Sequence, residues 1–158
     1  MRGFSLELDA FDRAIIAALQ KDGRMSIAQL AETVALSPTP VSRRLKRLEE
    51  DGLITGYAAL LDGRMLGLAL EAYVQVNLER HEDEIIAHFE AEIAANPHII
   101  TCHAVTGDMD YLLHVVARDV DHLSQITLKT LLRIRGVRDV KSVIALEEVK
   151  RTRALPLQ

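Results

Sequence analysis

Residues 37–52, SPTPVSRRLKRLEEDG, gather four basic side chains on what reads as one short helix. Pro is favoured in the first turn of a helix, where its missing N–H has no partner to lose. Ser37 before Pro38 and Thr39 before Pro40 are therefore two possible N-caps, and the sequence leaves the choice between them open.

This helix is predicted to have two chemically different faces. Apolar residues recur at helical spacing along one face, and they are Val41, Leu45 and Leu48. At about 100° per residue, hydroxyls and cations cluster on the opposite face, and they are Thr39, Ser42, Arg43, Lys46 and Arg47. Arg44 lies at the side of the apolar stripe, and Gly52 ends the helix.

The net charge of the whole chain conceals this basic cluster. The 158 residues carry a formal net charge of −4 at pH 7, but residues 1–60 hold 8 basic and 8 acidic side chains. Residues 61–158 hold 11 and 15, so the excess of acid belongs to the second part. A local cluster can govern an encounter with DNA even when the total charge is negative.

Composition and the N-terminus predict a cytoplasmic protein. The single Cys102 cannot form an internal disulfide, which fits a reducing compartment. No stretch approaches the ~18 apolar residues of a membrane span. The first residues, MRGFSLELDAFDR, lack the apolar region of a secretory signal.

Two further helices are predicted before the basic one. Asp9 can cap the first, over residues 9–21, and Ser26 can cap a short second helix that ends near Val34. Two short helices joined by a tight turn indicate a helix-turn-helix, in which the last helix enters the major groove of DNA. The alternative is that the basic face is only a solvated surface with ion pairs inside the helix.

Residues 8–62 resemble the N-terminal domain of the leucine-responsive regulator (Lrp/AsnC) family. The matching segments include LQKDGR, LSPTPVSRRLKRLE and GLITGY, and the resemblance continues over nearly the whole chain. It implies a winged helix-turn-helix domain over residues 1–60, with the motif at 25–44 and a strand near 54–61. The DNA-binding residues expected on this basis are Ser37, Thr39, Ser42, Arg43, Arg44, Lys46 and Arg47.

The chain departs from the family pattern at two positions of this domain. Members often carry Gly where Ala35 stands and Cys where Val41 stands, although Val fills the same apolar face. If residue 35 adopts the left-handed conformation, Ala costs up to about 1–2 kcal/mol there, so the turn is expected to differ slightly.

The second part of the chain is predicted to be a ferredoxin-like βαββαβ domain over residues 70–158, after a linker at 61–69. Apolar and polar residues alternate over LEAYVQVNLE, which indicates a half-buried strand. The segments that follow read as helix, strand, strand, helix and strand, and the fold class is therefore α+β.

One face of such a sheet is covered by the helices, and the other is left open. Tyr73, His103 and Val105 are expected on the open face, which indicates that another subunit covers it. The family resemblance implies a homodimer formed through this sheet and further assembly to an octamer. A symmetric dimer would also place two recognition helices on two half-sites of DNA.

The stretch VTGDMDYLL, residues 105–113, has two possible interpretations. Gly107 and Asp108 can simply form a hairpin turn between neighbouring strands. The family resemblance implies instead that the loop lines an amino-acid pocket at the contact between dimers. The effector-binding residues implied are Val105, Thr106, Gly107, Asp108, Asp110, Ser142 and Ile144.

The sequence predicts neither an enzyme nor a metal protein. Cys102 and His103 are adjacent on a strand, so their side chains point to opposite faces and do not form a tetrahedral metal site. We therefore predict a sequence-specific, double-stranded-DNA-binding transcriptional regulator that responds to an amino acid or related metabolite and needs no cofactor. The alternative is a ligand-independent, nucleoid-organising DNA-binding protein.

Overall fold

The computed structural model describes residues 7–157 and divides the chain into two compact units. The first comprises Met1–Leu60 with Lys150–Gln158, and the second comprises Leu61–Val149. No helix among the described residues is long and apolar enough to cross a membrane.

The first unit contains three helices: α1 over Ala10–Lys21, α2 over Ile27–Val34 and α3 over Pro38–Glu50. Asp9 and Ser26 are the N-caps of α1 and α2, and both form capping boxes in which side chains and backbone amides of N-cap and N3 bond reciprocally. The predicted bounds of these helices are confirmed. Ser37, not Thr39, is the N-cap of α3.

The turn between α2 and α3 contains Ala35 in the left-handed conformation, at φ 54° and ψ 43°. The amide of Leu36 donates to the carbonyl of Ala31, and the amide of Ala35 donates to Glu32. These bonds satisfy the last carbonyls of α2 in the way that a Gly at this position normally permits. The turn therefore keeps its usual geometry, and Ala35 carries the conformational cost.

An aliphatic core holds the three helices together. Its fully buried members, with no exposed surface, are Ile15, Leu30, Val41 and Leu48. The apolar face that the sequence predicts for α3 is therefore the face that packs against α1 and α2, which fixes the direction of its polar face.

The strand expected near residues 54–61 is absent from the described structure, in which residues 55–62 are irregular. Apolar alternation predicts an extended chain, but a strand also needs a neighbour to bond with, and the first unit contains only helices among its described elements. Tyr57 instead donates its hydroxyl to Glu49 at 2.9 Å. Burial and this carboxylate raise the pKa of Tyr57 to about 12.

The second unit has the predicted βαββαβ order: β1 over Leu70–Leu78, α4 over Asp83–Ala95, β2 over Ile99–Ala104, β3 over Tyr111–Ala117, α5 over Val120–Ser124 and β4 over Val137–Ile144. The sheet is antiparallel with the order β2-β3-β1-β4. Its first strand therefore lies in the interior, between β3 and β4.

The helices cover one face of this sheet. The core on that side is aliphatic with Phe89 against Tyr111, whose ring centroids are 4.6 Å apart. The last predicted helix is irregular after α5, because Gln125–Thr130 is π-helical and Leu131–Arg133 is a 3-10 turn. This difference does not change which face of the sheet is covered.

The other face of the sheet remains open in the single chain. Tyr73 is 46% exposed there, opposite Val143, which is 54% exposed. The Tyr73 ring stacks on His114 with centroids 5.3 Å apart, and His114 Nε2 lies 3.0 Å from Glu71 Oε2. His103 shares this face through its pairing with Leu112, whereas Val105 lies beyond β2 in the following loop.

The unit boundaries differ from the prediction at two places. Residues 61–69, predicted as a linker, group with the second unit and contain a 3-10 turn at Arg64–Leu66. The tail at 150–158 groups with the first unit, where the side-chain amide of Gln20 bonds both the N–H and the carbonyl of Leu155. Local sequence periodicity predicts neither of these two differences.

Candidate nucleic-acid interface and effector loop

The polar face of α3 forms the floor of a shallow surface depression of about 470 Å³. Its lining includes four of the predicted DNA-binding residues, and we call these four the recognition face: Thr39, Ser42, Arg43 and Lys46. All four are exposed. The lining is completed by Pro38 and Ile27. The predicted clustering of hydroxyls and cations is therefore realised as one continuous surface.

The N-terminus of α3 adds a second feature to this surface. Ser37 is exposed, and its side chain makes no capping bond. The amides of the first turn of a helix lack intrahelical partners and carry the positive end of the helix dipole. An anionic group such as a phosphate is favoured beside them.

Arg44 differs from the other predicted DNA-binding residues. Its Nη1 donates to Asp9 Oδ2 at 2.6 Å and to Asp12 Oδ1 at 2.8 Å, and its side chain is 21% exposed. Bonds to both carboxylates raise the pKa of Arg44 and keep it charged. Its Cζ lies 5.6 Å from the centroid of the Phe11 ring. Arg44 therefore holds α3 against the start of α1.

Arg47 combines features of the buried Arg44 and of the exposed recognition face. Its Nη2 donates to Asp12 Oδ2 at 2.6 Å, but the side chain is 48% exposed. Asp12 itself is buried, with 1% of its side chain exposed. Nothing in the local sequence pattern around Asp12 predicts that it is buried between two arginines of another helix.

The predicted effector loop joins β2 to β3 over residues 105–110. Thr106, Gly107 and Asp108 are exposed, and Gly107 has a φ of 117°. The amide of Val105 donates to the carbonyl of Asp110 at 3.0 Å and closes the loop. The connection is a six-residue loop, which is longer than a two-residue hairpin turn.

Asp110 braces this loop against the end of β1. Its Oδ2 accepts the amide of Leu78 at 2.8 Å, and its Oδ1 lies 2.9 Å from His81 Nε2. Its own amide donates to Asn77 Oδ1 at 3.1 Å. Burial opposes ionisation of Asp110, but the amide of Leu78 and the neighbouring His81 and Arg138 outweigh it, so the pKa of Asp110 lies below its ordinary value.

Ser142 and Ile144 are not brought to this loop within one chain. Ser142 pairs with Val74 in the middle of β1, and Ile144 pairs with Ala72 near its start, whereas Asp110 bonds to Leu78 at its end. At about 3.3 Å per residue, the six positions from Ala72 to Leu78 correspond to roughly 20 Å. The two parts of the predicted effector site are thus separated along β1, by roughly 13 Å for Ser142 and roughly 20 Å for Ile144.

A separate depression of about 380 Å³ lies between α4 and the edge strand β2, with Glu90, Cys102 and Tyr111 in its lining. Burial, followed by the charge of Glu90, raises the pKa of the Cys102 thiol and that of Tyr111. Within residues 7–157, no group of three or more His, Cys, Asp or Glu is placed to hold a metal ion.

Comparisons with known proteins find a separate match for each unit, and the second match continues into the tail that groups with the first unit. The Lrp/AsnC ligand binding domain matches residues 71–155, and a winged helix-turn-helix DNA-binding domain matches residues 8–55. Leucine-responsive regulatory proteins from Salmonella typhimurium and Escherichia coli strain K12 are 40% and 39% identical over 152 residues. The alignments cover 96% of this chain and 93% of each relative.

Solved structures give the same result. A transcriptional regulator from Neisseria meningitidis in complex with L-Met superposes with a TM-score of 0.92 at 40% identity, covering 95% of this chain and 97% of that one. A feast or famine regulatory protein from M. tuberculosis complexed with L-methionine gives 0.82 at 28% identity, covering 94% and 99%.

A helix-turn-helix with an exposed basic face, followed by a βαββαβ ligand-binding domain, defines a DNA-binding transcriptional regulator and not an enzyme. The chain belongs to the Lrp/AsnC family of transcriptional regulators.

Proposed function

We propose that this regulator binds specific double-stranded DNA through the recognition face and the N-terminus of α3, and that its second unit binds an amino acid that alters this binding. The observation that carries the first part is the exposed cluster of Thr39, Ser42, Arg43 and Lys46 on the side of α3 opposite the core. Arg can bond guanine bidentately, whereas Lys and hydroxyls serve phosphates or bases.

Neutralising the recognition face tests the DNA-binding proposal. Arg43→Ala and Lys46→Ala are expected to weaken binding to a duplex from upstream of the protein's own coding region in an anisotropy titration. Each lost phosphate contact reduces the slope of log affinity against log salt by about 0.9. Lys129→Ala, which removes one charge from the second unit, is the matched control. Unchanged affinity in both α3 variants would refute the assignment.

The amino-acid site is proposed to form between copies of the chain. The loop at 105–110 and the pair Ser142 and Ile144 are separated along β1, as their bonds to Leu78, Val74 and Ala72 indicate. A pocket that uses both would take them from different subunits, in agreement with the contact between dimers that the family resemblance implies. We propose a homodimer that covers the open sheet face and assembles further to an octamer.

The bonds of Asp110 favour a second candidate function, a DNA-binding protein that responds to no ligand. Its carboxylate already accepts the Leu78 amide and contacts His81. A carboxylate engaged in this way serves a structural loop without any ligand, whereas an amino-acid ammonium would have to share it.

A gel-shift titration with competitor DNA separates the two candidates. L-methionine is the first probe, because two related structures contain it, and pools of the other amino acids follow. A specific DNA shift that an amino acid alters supports the effector proposal. A specific shift that no amino acid alters supports the ligand-independent protein.

A further inference from the structure

Asp12 is an anion buried at the contact between α1 and α3. A buried carboxylate is stable only when hydrogen bonds and opposite charges compensate it. Here its Oδ1 accepts Arg44 Nη1, and its Oδ2 accepts Arg47 Nη2 and the amide of Asp9, which lies 3.2 Å away. All three of these partner groups are donors, and both cations come from the helix that carries the recognition face.

The two arginines do not serve Asp12 in the same way. Arg44 bonds both Asp9 and Asp12 and is mostly withdrawn from solvent. Arg47 bonds Asp12 through Nη2 alone, and about half of its side chain stays exposed. Arg44 therefore compensates the negative charge of Asp12. Arg47 is held to Asp12 by one bond and exposes about half of its side chain to solvent.

The bond to Asp12 restricts an arginine that lies next to the recognition face. Arg47 follows Arg43 by four residues, so it lies one turn further along α3 on the flank of the recognition face. The guanidinium is a rigid planar fork with five N–H donors. One bond to Asp12 restricts the otherwise flexible side chain, and part of the entropy cost of ordering it on DNA is met before DNA arrives.

We propose that Asp12 is a positioning residue for DNA binding, which holds Arg47 in a fixed orientation to contact a backbone phosphate at the flank of the recognition face. The inference rests on the proposed DNA-binding function of α3. Formally the cluster of Asp9, Asp12, Arg44 and Arg47 has no net charge. Long-range attraction therefore comes from Arg43 and from Lys46, whose exposed Nζ lies 3.6 Å from Glu50 Oε1, and Arg47 acts at short range through its geometry.

Asp12→Asn tests the proposal, because the loss of charge and the loss of positioning predict opposite changes in DNA affinity. Removing a negative charge near DNA would by itself tighten binding or leave it unchanged. If Asp12 positions Arg47, specific binding weakens by roughly threefold to tenfold in the anisotropy titration, since the ordering cost returns. Asp9→Asn is the matched control, because Asn keeps the N-cap and the Asp9 carboxylate bonds Arg44, whereas Arg47 bonds Asp12. It is expected to bind within about twofold of the unmodified protein.

A double-mutant cycle identifies the route of the effect. In the Arg47→Ala background, Asp12→Asn is expected to cause no further loss, because the side chain that it positions is gone. Losses that add in the double variant would overturn the proposal, and so would an Asp12→Asn protein that binds DNA as tightly as the Asp9→Asn control.

Circular dichroism melting accompanies each titration, since Asp12 also joins two helices. If Asp12→Asn does not fold, Arg47→Lys replaces it: Lys keeps the charge but lacks the planar fork, and its affinity is expected to approach that of Arg47→Ala. Full affinity of Arg47→Lys would overturn the proposal.

One outcome separates this inference from the proposed function. If Arg43→Ala and Lys46→Ala weaken DNA binding while Arg47→Ala does not, this inference fails and the DNA-binding function stands.

Discussion

Among the described residues other than Gly, Ala35 alone has a positive φ. The left-handed conformation costs an L-residue roughly 1–2 kcal/mol, because its Cβ approaches a carbonyl oxygen. The Ala therefore stores strain in the turn between α2 and α3, and the bonds of Leu36 and Ala35 to α2 hold it there.

Ala35→Gly is accordingly expected to stabilise the first unit, by about 0.5–1 kcal/mol after the greater flexibility of Gly in the unfolded chain is subtracted. Urea denaturation measures this change. Ala14→Gly, at an exposed position inside α1, is the control and is expected to destabilise by about 0.5–1 kcal/mol. Destabilisation by both substitutions would contradict the assigned strain.

Asp110 has a pH dependence that can be worked out from its lowered pKa. Because folding lowers the pKa of this carboxyl below 3.8, its ionised form stabilises the fold above that pH. The contribution is lost as the pH falls through the folded-state pKa.

Asp110→Asn removes this titration while keeping a side chain that can accept the Leu78 amide. Its melting temperature is expected to be lower than that of the unmodified protein near pH 6, and the gap is expected to close below about pH 4. Other carboxylates titrate in both proteins and cancel in the difference. A gap that persists unchanged at about pH 3 would show that the charge of Asp110 does not stabilise the fold.

At the scale of secondary structure, the sequence predicts most of what the structure contains. Capping residues and helical spacing predict α1, α2 and α3, and alternation predicts β1, because these signals are local. The missing strand near 54–61 depends on a distant partner strand, which periodicity does not record, and helical spacing does not distinguish the π-helical and 3-10 segments at 125–133 from an α-helix. The same limit applies to the site: spacing predicts the recognition face, but only packing reveals Asp12 between Arg44 and Arg47.

Gly136 shows how tightly α4 meets the start of β4. Its φ is 91°, and a Cβ added there would overlap Ile85 Cγ2. Gly136→Ala is expected to destabilise the second unit by about 2–4 kcal/mol, measured by denaturation. Gly67→Ala has a similar φ but open space, so it is expected to cost only the roughly 1–2 kcal/mol of the left-handed conformation.

A second substitution separates overlap from backbone strain. Trimming Ile85 to Ala in the Gly136→Ala protein opens space for the new methyl group, so the second change is expected to destabilise much less than Ile85→Ala does alone. Equal costs in the two backgrounds would mean that Ile85 is not the obstacle.

At the scale of the whole molecule, the open sheet face predicts the oligomeric state. Tyr73→Asp places a charge at the centre of this face, where Tyr73 stacks on His114. Sedimentation equilibrium is expected to show monomers with unchanged circular dichroism, because a buried unpaired carboxylate is costly in an interface. Leu128→Asp, at a 56% exposed position on the helical side, is the control. Dissociation by Leu128→Asp alone would place the subunit contact on the helices.

The back of α3 is fixed by the core and by Asp12, whereas Thr39, Ser42, Arg43 and Lys46 stand clear of that framework. Mutation can therefore change the side chains that we propose read DNA without unfolding the domain that presents them. A duplicated gene of this kind could acquire a new target sequence through a few changes on one helix face, each with little effect on stability. Because the residues that hold α3 in place differ from those on its recognition face, this domain is easy to diversify.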